Sequence, residues 1–146
     1  MSNEYKDWLN DNQQEAKKLI EKYPFLQIKN NDIYTWLEVG GYEETWLDDL
    51  PDGWKIGFCE QMCDELMEAL GDYADKWIIL QVKEKYGELR IYYSILPKGI
   101  YDAVEAVISK YEKISRHTCC ICGNPATKTS KGWVLPFCDE CYGRRK

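Results

Sequence analysis

The stretch HTCCICGNPATKTSKGWVLPFCDECYGRRK, residues 117–146, decides how the C-terminal part of this chain folds. It contains two C-x-x-C pairs, Cys119/Cys122 and Cys138/Cys141, with fifteen residues between them. Two intervening residues give a tight turn, so both sulfurs of a pair can point at one ion, and four thiolates surround Zn²⁺ as a tetrahedron. The spacing therefore predicts one zinc ion held by these four cysteines.

Gly123 follows the first pair, where a zinc knuckle often needs a backbone with φ > 0. Disulfides and redox dithiols are the alternative interpretations of the cysteines. Disulfides need an oxidising compartment, and the N-terminal residues MSNEYKDWLND lack the features of a secretory signal. No βαβ unit of the thioredoxin type is recognisable. Four protein ligands close the coordination shell, which favours a structural over a catalytic zinc.

The charge of the chain is unevenly distributed. Residues 117–146 carry five basic and two acidic side chains, net +3, whereas residues 1–116 carry 14 basic and 23 acidic ones, net −9. We therefore expect an acidic α+β body at residues 1–116 and a zinc module at residues 117–146, packed on the end of the last helix. No apolar run approaches the roughly 18 residues of a membrane span, which predicts a soluble, cytoplasmic protein.

Three helices are predicted in the body. Residues 4–23 form the first, and Pro24 ends it because a residue before proline avoids the α region. A turn at residues 51–53 precedes the second, at residues 57–70, in which Cys59 and Cys63 are interpreted as core residues rather than metal ligands. Apolar residues repeat at intervals of three or four over residues 100–116, the third helix.

The clearest β signal is a hairpin formed by residues 77–86 and 89–95. A type II′ turn at Gly87-Glu88 would pair Tyr86 with Leu89. The apolar face would then consist of Leu80, Val82, Tyr86, Leu89, Ile91, Tyr93 and Ile95, with Glu84 as a misfit. The opposite face carries a basic and aromatic patch, which is either solvated or a contact site: Lys83, Lys85, Arg90 and Tyr92.

The fold class predicted is α+β, with a small antiparallel sheet packed by two or three helices. Short strands at residues 25–28 and 33–39 are expected to extend the hairpin. The tryptophans of this region, Trp36, Trp46 and Trp54, either pack under loops or mark a binding surface. The zinc module is predicted to be ribbon-like, a pair of knuckles, because a treble clef would require a helix starting near Cys138 and only five residues follow Cys141. His117 and Cys120 are further candidates for the neighbourhood of the metal.

Three motifs together carry a resemblance. They are the string KEKYGELRIYYS (Lys83–Ser94), a helix ending in KYEKISRHTC, and a C-x-x-C-G module with GW before the second cysteine pair. With these motifs the chain resembles a group of small bacteriophage and prophage proteins. The resemblance covers roughly residues 50–141. It implies a bacterial cytoplasmic setting and no established activity, and some small acidic phage proteins inhibit host defence enzymes.

The chain lacks the common catalytic motifs, which predicts a non-catalytic protein. We expect it to act by contact with a protein partner, as a phage-encoded modulator or inhibitor of a host or defence protein. The alternative is a nucleic-acid-binding zinc protein, in which Trp133 either stacks on a base or packs the metal module. The basic residues of that alternative are Lys128, Lys131, Arg144, Arg145 and Lys146, together with Lys83, Lys85 and Arg90.

Overall fold

A computed structural model describes residues 14–28 and 45–145. Residues 14–22 are helical (α1), in agreement with the predicted first helix, whose earlier residues lie outside the described part. The strand predicted at residues 25–28 is wrong: Pro24–Leu26 is a 3₁₀ turn, and only Gln27 makes a bridge, with Thr45. The proline favours this turn because its fixed φ suits a first helical position. The strand predicted at residues 33–39 and Trp36 lie outside the described residues.

The second helix begins earlier than predicted. It runs as an α-helix at Asp52–Trp54, a π-helix at Lys55–Cys59 and an α-helix at Glu60–Leu70, together called α2. The predicted turn at residues 51–53 is therefore wrong, because Pro51 occupies the N-cap position and the next residue is already helical. Gly71, with φ of 54°, ends the helix.

The hairpin consists of β1, Ile79–Lys85, and β2, Glu88–Tyr93. Its turn is Tyr86-Gly87 rather than Gly87-Glu88, because Lys85 pairs with Glu88. Both turn residues have positive φ, 53° and 79°, as a type I′ turn requires. Relative to the predicted register, the two strands slide by an even number of positions.

This slide keeps most of the predicted core face. Val82 pairs with Ile91, and Leu89 is fully buried. Three predicted core residues are instead exposed, each for a local reason. Leu80 lies at an irregularity of the ladder, Tyr86 lies in the turn, and Ile95 follows the end of β2.

The long helix α3, Lys98–Arg116, packs against α2 and β2. Its buried face carries Val104, Ile108, Tyr111 and Ser115. The side chains between these elements form the body's core, which includes Trp54 and Trp77 and both Cys59 and Cys63. The core interpretation of these two cysteines is confirmed, and burial raises the pKa of Cys59 to about 12.

The metal module has its own small elements. A two-residue hairpin, β3 (Lys128–Thr129) and β4 (Pro136–Phe137), precedes a short helix α4, Asp139–Arg144. This helix starts directly after Cys138, so the expectation of a second ribbon-like knuckle is wrong for the second cysteine pair. A helix at this position is the feature that the treble-clef alternative required. None of the helices in the described residues has the length and apolar character needed to traverse a bilayer.

Candidate metal centre

The first cysteine pair lies in a knuckle directly after α3. The Cys119 N–H donates to the Asn124 carbonyl oxygen at 2.7 Å, and the Gly123 N–H donates to the Cys119 carbonyl oxygen at 3.1 Å. Gly123 has φ of 84°, so the predicted left-handed glycine of the knuckle is confirmed. These two bonds turn the backbone tightly enough for Cys119 and Cys122 to face the same point.

The second pair lies at the start of α4. Cys138 is the N-cap residue, and its sulfur accepts a hydrogen bond from the Cys141 N–H at 3.4 Å. Cys138 directly follows Phe137, which pairs with Lys128 in the ladder between β3 and β4. The ladder therefore fixes the position of Cys138. A rigid helix turn therefore holds the spacing of the second pair, just as the knuckle holds the first.

The four sulfur atoms converge. All four lie within 4.8 Å of one another, and the Sγ atoms of Cys122 and Cys138 are 3.6 Å apart. A tetrahedron with metal–sulfur bonds of about 2.3 Å has sulfur–sulfur edges of about 3.8 Å. The cluster therefore has the size that one metal ion needs. All seven cysteines of the chain are free thiols, so the disulfide alternative is not realised.

Hydrogen bonds link thiols of the cluster to one another, as between Cys122 and Cys138. Burial raises the pKa of Cys119, but backbone hydrogen bonds from Cys122 and Cys138 outweigh burial and lower it to about 6. A hydrogen bond with Cys138 raises the pKa of Cys141 instead. One dication would replace the thiol protons, because metal ligands must be thiolates.

The knuckle docks on the body through close backbone contacts. The Gly53 N–H in α2 donates to the Cys120 carbonyl oxygen at 2.9 Å. A Cβ atom added at Gly53 would lie 2.0 Å from the Cys119 oxygen, and one at Gly57 would lie 2.9 Å from Cγ2 of Thr118. The i, i+4 spacing places both glycines on one side of the helix. They make the flat surface on which the knuckle rests.

Sequence reasoning missed this role of Gly53 and Gly57. The available signal was the i, i+4 spacing of the two glycines, but the expected turn at residues 51–53 hid it, and a glycine inside a helix usually has a packing reason. Trp54, between them in the chain, reinforces the contact, since its Nε1–H donates to the Thr118 carbonyl oxygen at 3.2 Å. The packing interpretation of Trp54 is confirmed, because this side chain is fully buried.

The two other candidates near the metal have different positions. Cys120 is buried with its side chain outside the four-sulfur group, and its backbone joins α2 and β4. Burial raises the pKa of its thiol to about 11. His117 is exposed at the C-cap of α3, and it is not part of the ligand group found among the described residues.

The predicted patch on the hairpin is only partly free to bind. Lys83 and Arg90 pair across the strands, and Tyr92 lies on the same face. Arg90 is held by carboxylates, at 3.1 Å from Glu88 and 3.8 Å from Glu112. The side chains of Lys83 and Lys85 have no ion pair with a described residue.

The basic residues of the module are dispersed. Lys131 is exposed on the loop between β3 and β4, and the ammonium of Lys128 lies over the Tyr142 ring at 5.8 Å. Arg144 pairs with Glu140 at 2.6 Å, and Arg145 lies over the same Tyr142 ring at 4.9 Å. Lys146 lies outside the described residues.

Trp133 does not pack the module, so that alternative is wrong. Its side chain is 76 % exposed. It lines a groove with Lys83 and Lys85 of the hairpin. The structure therefore joins three of the predicted binding residues, whereas Arg90, Tyr92 and Lys131 do not line this groove.

Comparisons of the chain with protein-family models, with curated proteins and with solved structures found no match. Kinship with the phage proteins therefore stays a prediction based on the three sequence motifs. The four-sulfur cluster is a group of side chains that could hold a metal ion.

Proposed function

We propose that this chain is a zinc-containing binding protein whose metal is structural and whose function is surface contact. The single observation that carries the proposal is the convergence of Cys119, Cys122, Cys138 and Cys141 within 4.8 Å. Two of these residues come from a knuckle and two from the first turn of a helix. Such a cluster would join segments of the module that have little else to hold them.

The chemistry of the donor set supports zinc. Four thiolates in tetrahedral geometry suit Zn²⁺ or an iron–sulfur site, and zinc is the usual ion of structural Cys₄ sites. Bound zinc would supply a fixed crosslink of four ligands. With all four positions taken by protein, water would have no place on the ion, and this supports a structural role.

Action by contact rather than by catalysis is the second part of the proposal. The only histidine of the chain caps α3 at the surface. The thiols of Cys59 and Cys63 are buried in the core, where they lack access to a substrate. The sequence motifs predict a bacterial cytoplasmic setting, and the specific form of the proposal is a phage-encoded modulator that binds a host or defence protein there.

Nucleic acid is the second candidate partner, and one specific observation favours it. Trp133 and Tyr86 are both more than 70 % exposed, and both line the groove that contains Lys83 and Lys85. The two lysines have no ion pair with a described residue, and their ammonium groups lie over the rings of Tyr92 and Tyr86, at 5.6 and 5.9 Å. Flat exposed rings beside such lysines suit bases and phosphates better than they suit a mixed protein surface.

Native mass spectrometry of the full chain tests the metal centre. We expect one zinc ion per chain, lost when Cys138→Ser removes a ligand and retained when Cys63→Ser alters a buried thiol of the core. Bound iron, or no bound metal, would contradict the zinc assignment. Equal metal loss in both variants would show that folding rather than ligation determines metal content.

A further inference from the structure

Two exposed aromatic side chains line one groove where the hairpin turn approaches the metal module. Tyr86 is 75 % exposed and Trp133 is 76 % exposed. With Lys83 and Lys85 they line a groove of about 340 Å³, which we call the stacking groove. Large exposed rings gathered at one place on a soluble protein usually mark a contact site.

Backbone contacts hold the segments that carry the two rings. Tyr86 lies in the type I′ turn, and a Cβ atom at the next residue, Gly87, would be within 3.6 Å of Val134. The buried hydroxyl of Ser130 donates to the Trp133 carbonyl oxygen and accepts from the Leu135 N–H at 3.0 Å. The turn thus lies in van der Waals contact with the loop, and the loop has its own hydrogen bonds, so binding a ligand would need little ordering of the backbone.

Cations lie on both sides of Tyr86. A second groove, also of about 340 Å³, shares Tyr86 and Val134 with the stacking groove and contains Lys128 and Arg116, the latter paired with Glu88 at 2.7 Å. Lys83, Lys85 and Lys128 form no ion pair with a described residue. The carboxylate of Glu84 in the stacking groove accepts the Gly87 N–H at 2.8 Å.

This local positive charge contrasts with the net charge of −6 for the chain. The negative charges on the rest of the chain would repel an anionic ligand, so such a ligand would be guided towards this face. The partner that the face fits is therefore anionic and carries flat, apolar rings.

We infer that the two grooves form a binding surface for single-stranded nucleic acid, with bases on Tyr86 and Trp133 and phosphates on the lysines. Proteins that bind single strands combine a positive groove with aromatic platforms in this way. A duplex has its bases stacked inside, where the rings cannot reach them. An acidic peptide would use the lysines but has no need of two exposed rings. The inference rests on the proposal that the protein acts by contact.

Fluorescence anisotropy with short labelled oligo(dT) and oligo(U) tests the surface, using the full chain with its metal content verified by native mass spectrometry. We expect binding at low salt. Trp133→Ala should weaken it roughly 5- to 150-fold, because one stacked base is lost. Tyr86→Asn should also weaken it, and asparagine tolerates the backbone of the turn.

The charge component has a matched control. The double substitution Lys83→Gln with Lys85→Gln should make the negative slope of log binding constant against log salt concentration less steep by about 1.4. Each phosphate contact on a single strand contributes about 0.7 to this slope. Lys17→Gln with Lys98→Gln removes the same charge from exposed positions outside both grooves, and should leave the slope unchanged.

Three outcomes would overturn the inference. The first is that metal-loaded protein does not bind the oligonucleotides at low salt. The second is that the groove variants and the control variants lose affinity equally. The third is that the protein binds a duplex or poly-glutamate as tightly as the single strands, and that Trp133→Ala weakens this binding to the same extent. A chain that is isolated folded but without metal would instead contradict the proposed zinc centre, and for that chain an absence of binding at low salt would overturn this surface in the same way.

Discussion

The helical body and the metal module are stabilised by different means. In the body, α2, α3 and the hairpin enclose large, fully buried side chains such as Trp54, Trp77, Met62 and Leu66. In the described part of the module, the buried hydrophobic residues are Cys119, Cys120 and Phe137, and its strands have two residues each. The module therefore buries too little apolar surface to offset the entropy of ordering its loops.

This difference explains why the proposed metal matters more to one region than to the other. Structural zinc contributes an apparent 10–16 kcal/mol, or about the whole stability of a small domain. The body has a core that does not include any of the four ligands. The two regions meet at a third kind of contact, the backbone packing of the knuckle on Gly53 and Gly57.

The largest expected effect is the loss of order in the module when a chelator removes the metal. Amide hydrogens of residues 117–145 should lose protection from exchange, because the four sulfurs no longer join the knuckle to α4. The amides of α2 and α3 should keep most of their protection, since the apolar core persists. Hydrogen exchange read by mass spectrometry with and without chelator measures both regions together. If the amides of the body lost protection together with those of the module, the body would depend on the metal as much as the module does, which contradicts the expected difference.

A smaller effect is expected at the contact between the regions. Gly53→Ala would place a Cβ atom 2.0 Å from the Cys119 oxygen and 2.6 Å from the Cys120 carbonyl carbon. Both neighbours are backbone atoms and cannot rotate away, so the free energy of unfolding should fall by about 3 kcal/mol. Urea unfolding measures the change.

Gly99→Ala is the matched control for this glycine. Gly99 is also helical, but nothing lies within 4 Å of its added Cβ atom. The control should be neutral or gain up to about 1 kcal/mol from the better helix propensity of alanine. Similar destabilisation in both variants would show that the close contact at Gly53 is not the cause.

The smallest effect tests the body alone. The buried hydroxyl of Ser115 accepts the Leu89 N–H at 2.9 Å and donates to the Glu112 carbonyl oxygen at 2.6 Å. Ser115→Ala leaves the Leu89 N–H without this partner and should cost about 1–3 kcal/mol. Thermal or urea unfolding should show this loss while metal content stays unchanged.

Ser109→Ala on the exposed side of α3 provides the comparison, with an expected change within about 0.5 kcal/mol. If Ser115→Ala released the metal, the body and the module would be coupled more tightly than their separate cores suggest.

Local features of this protein were predictable from the sequence. The C-x-x-C spacing located the four sulfurs, because each pair needs only one turn of chain to aim both side chains at one point. The repeat of apolar residues located α3, since a helix depends on neighbours three and four positions away. The core face of the hairpin survived the error in its register, because a slide by an even number of positions preserves the alternation of side chains.

Only the tertiary structure decided the features that join distant parts of the chain. Gly53 must lack a side chain because the Cys119 carbonyl, remote in sequence, occupies the space beside it. The first turn of α2 replaces the predicted turn, and its Gly53 N–H donates to the Cys120 carbonyl oxygen of the knuckle. Tyr86 and Trp133 share a groove because the module folds back onto the hairpin turn. Each of these contacts joins residues distant along the chain, and a local pattern of residue types carries no information about such a pairing.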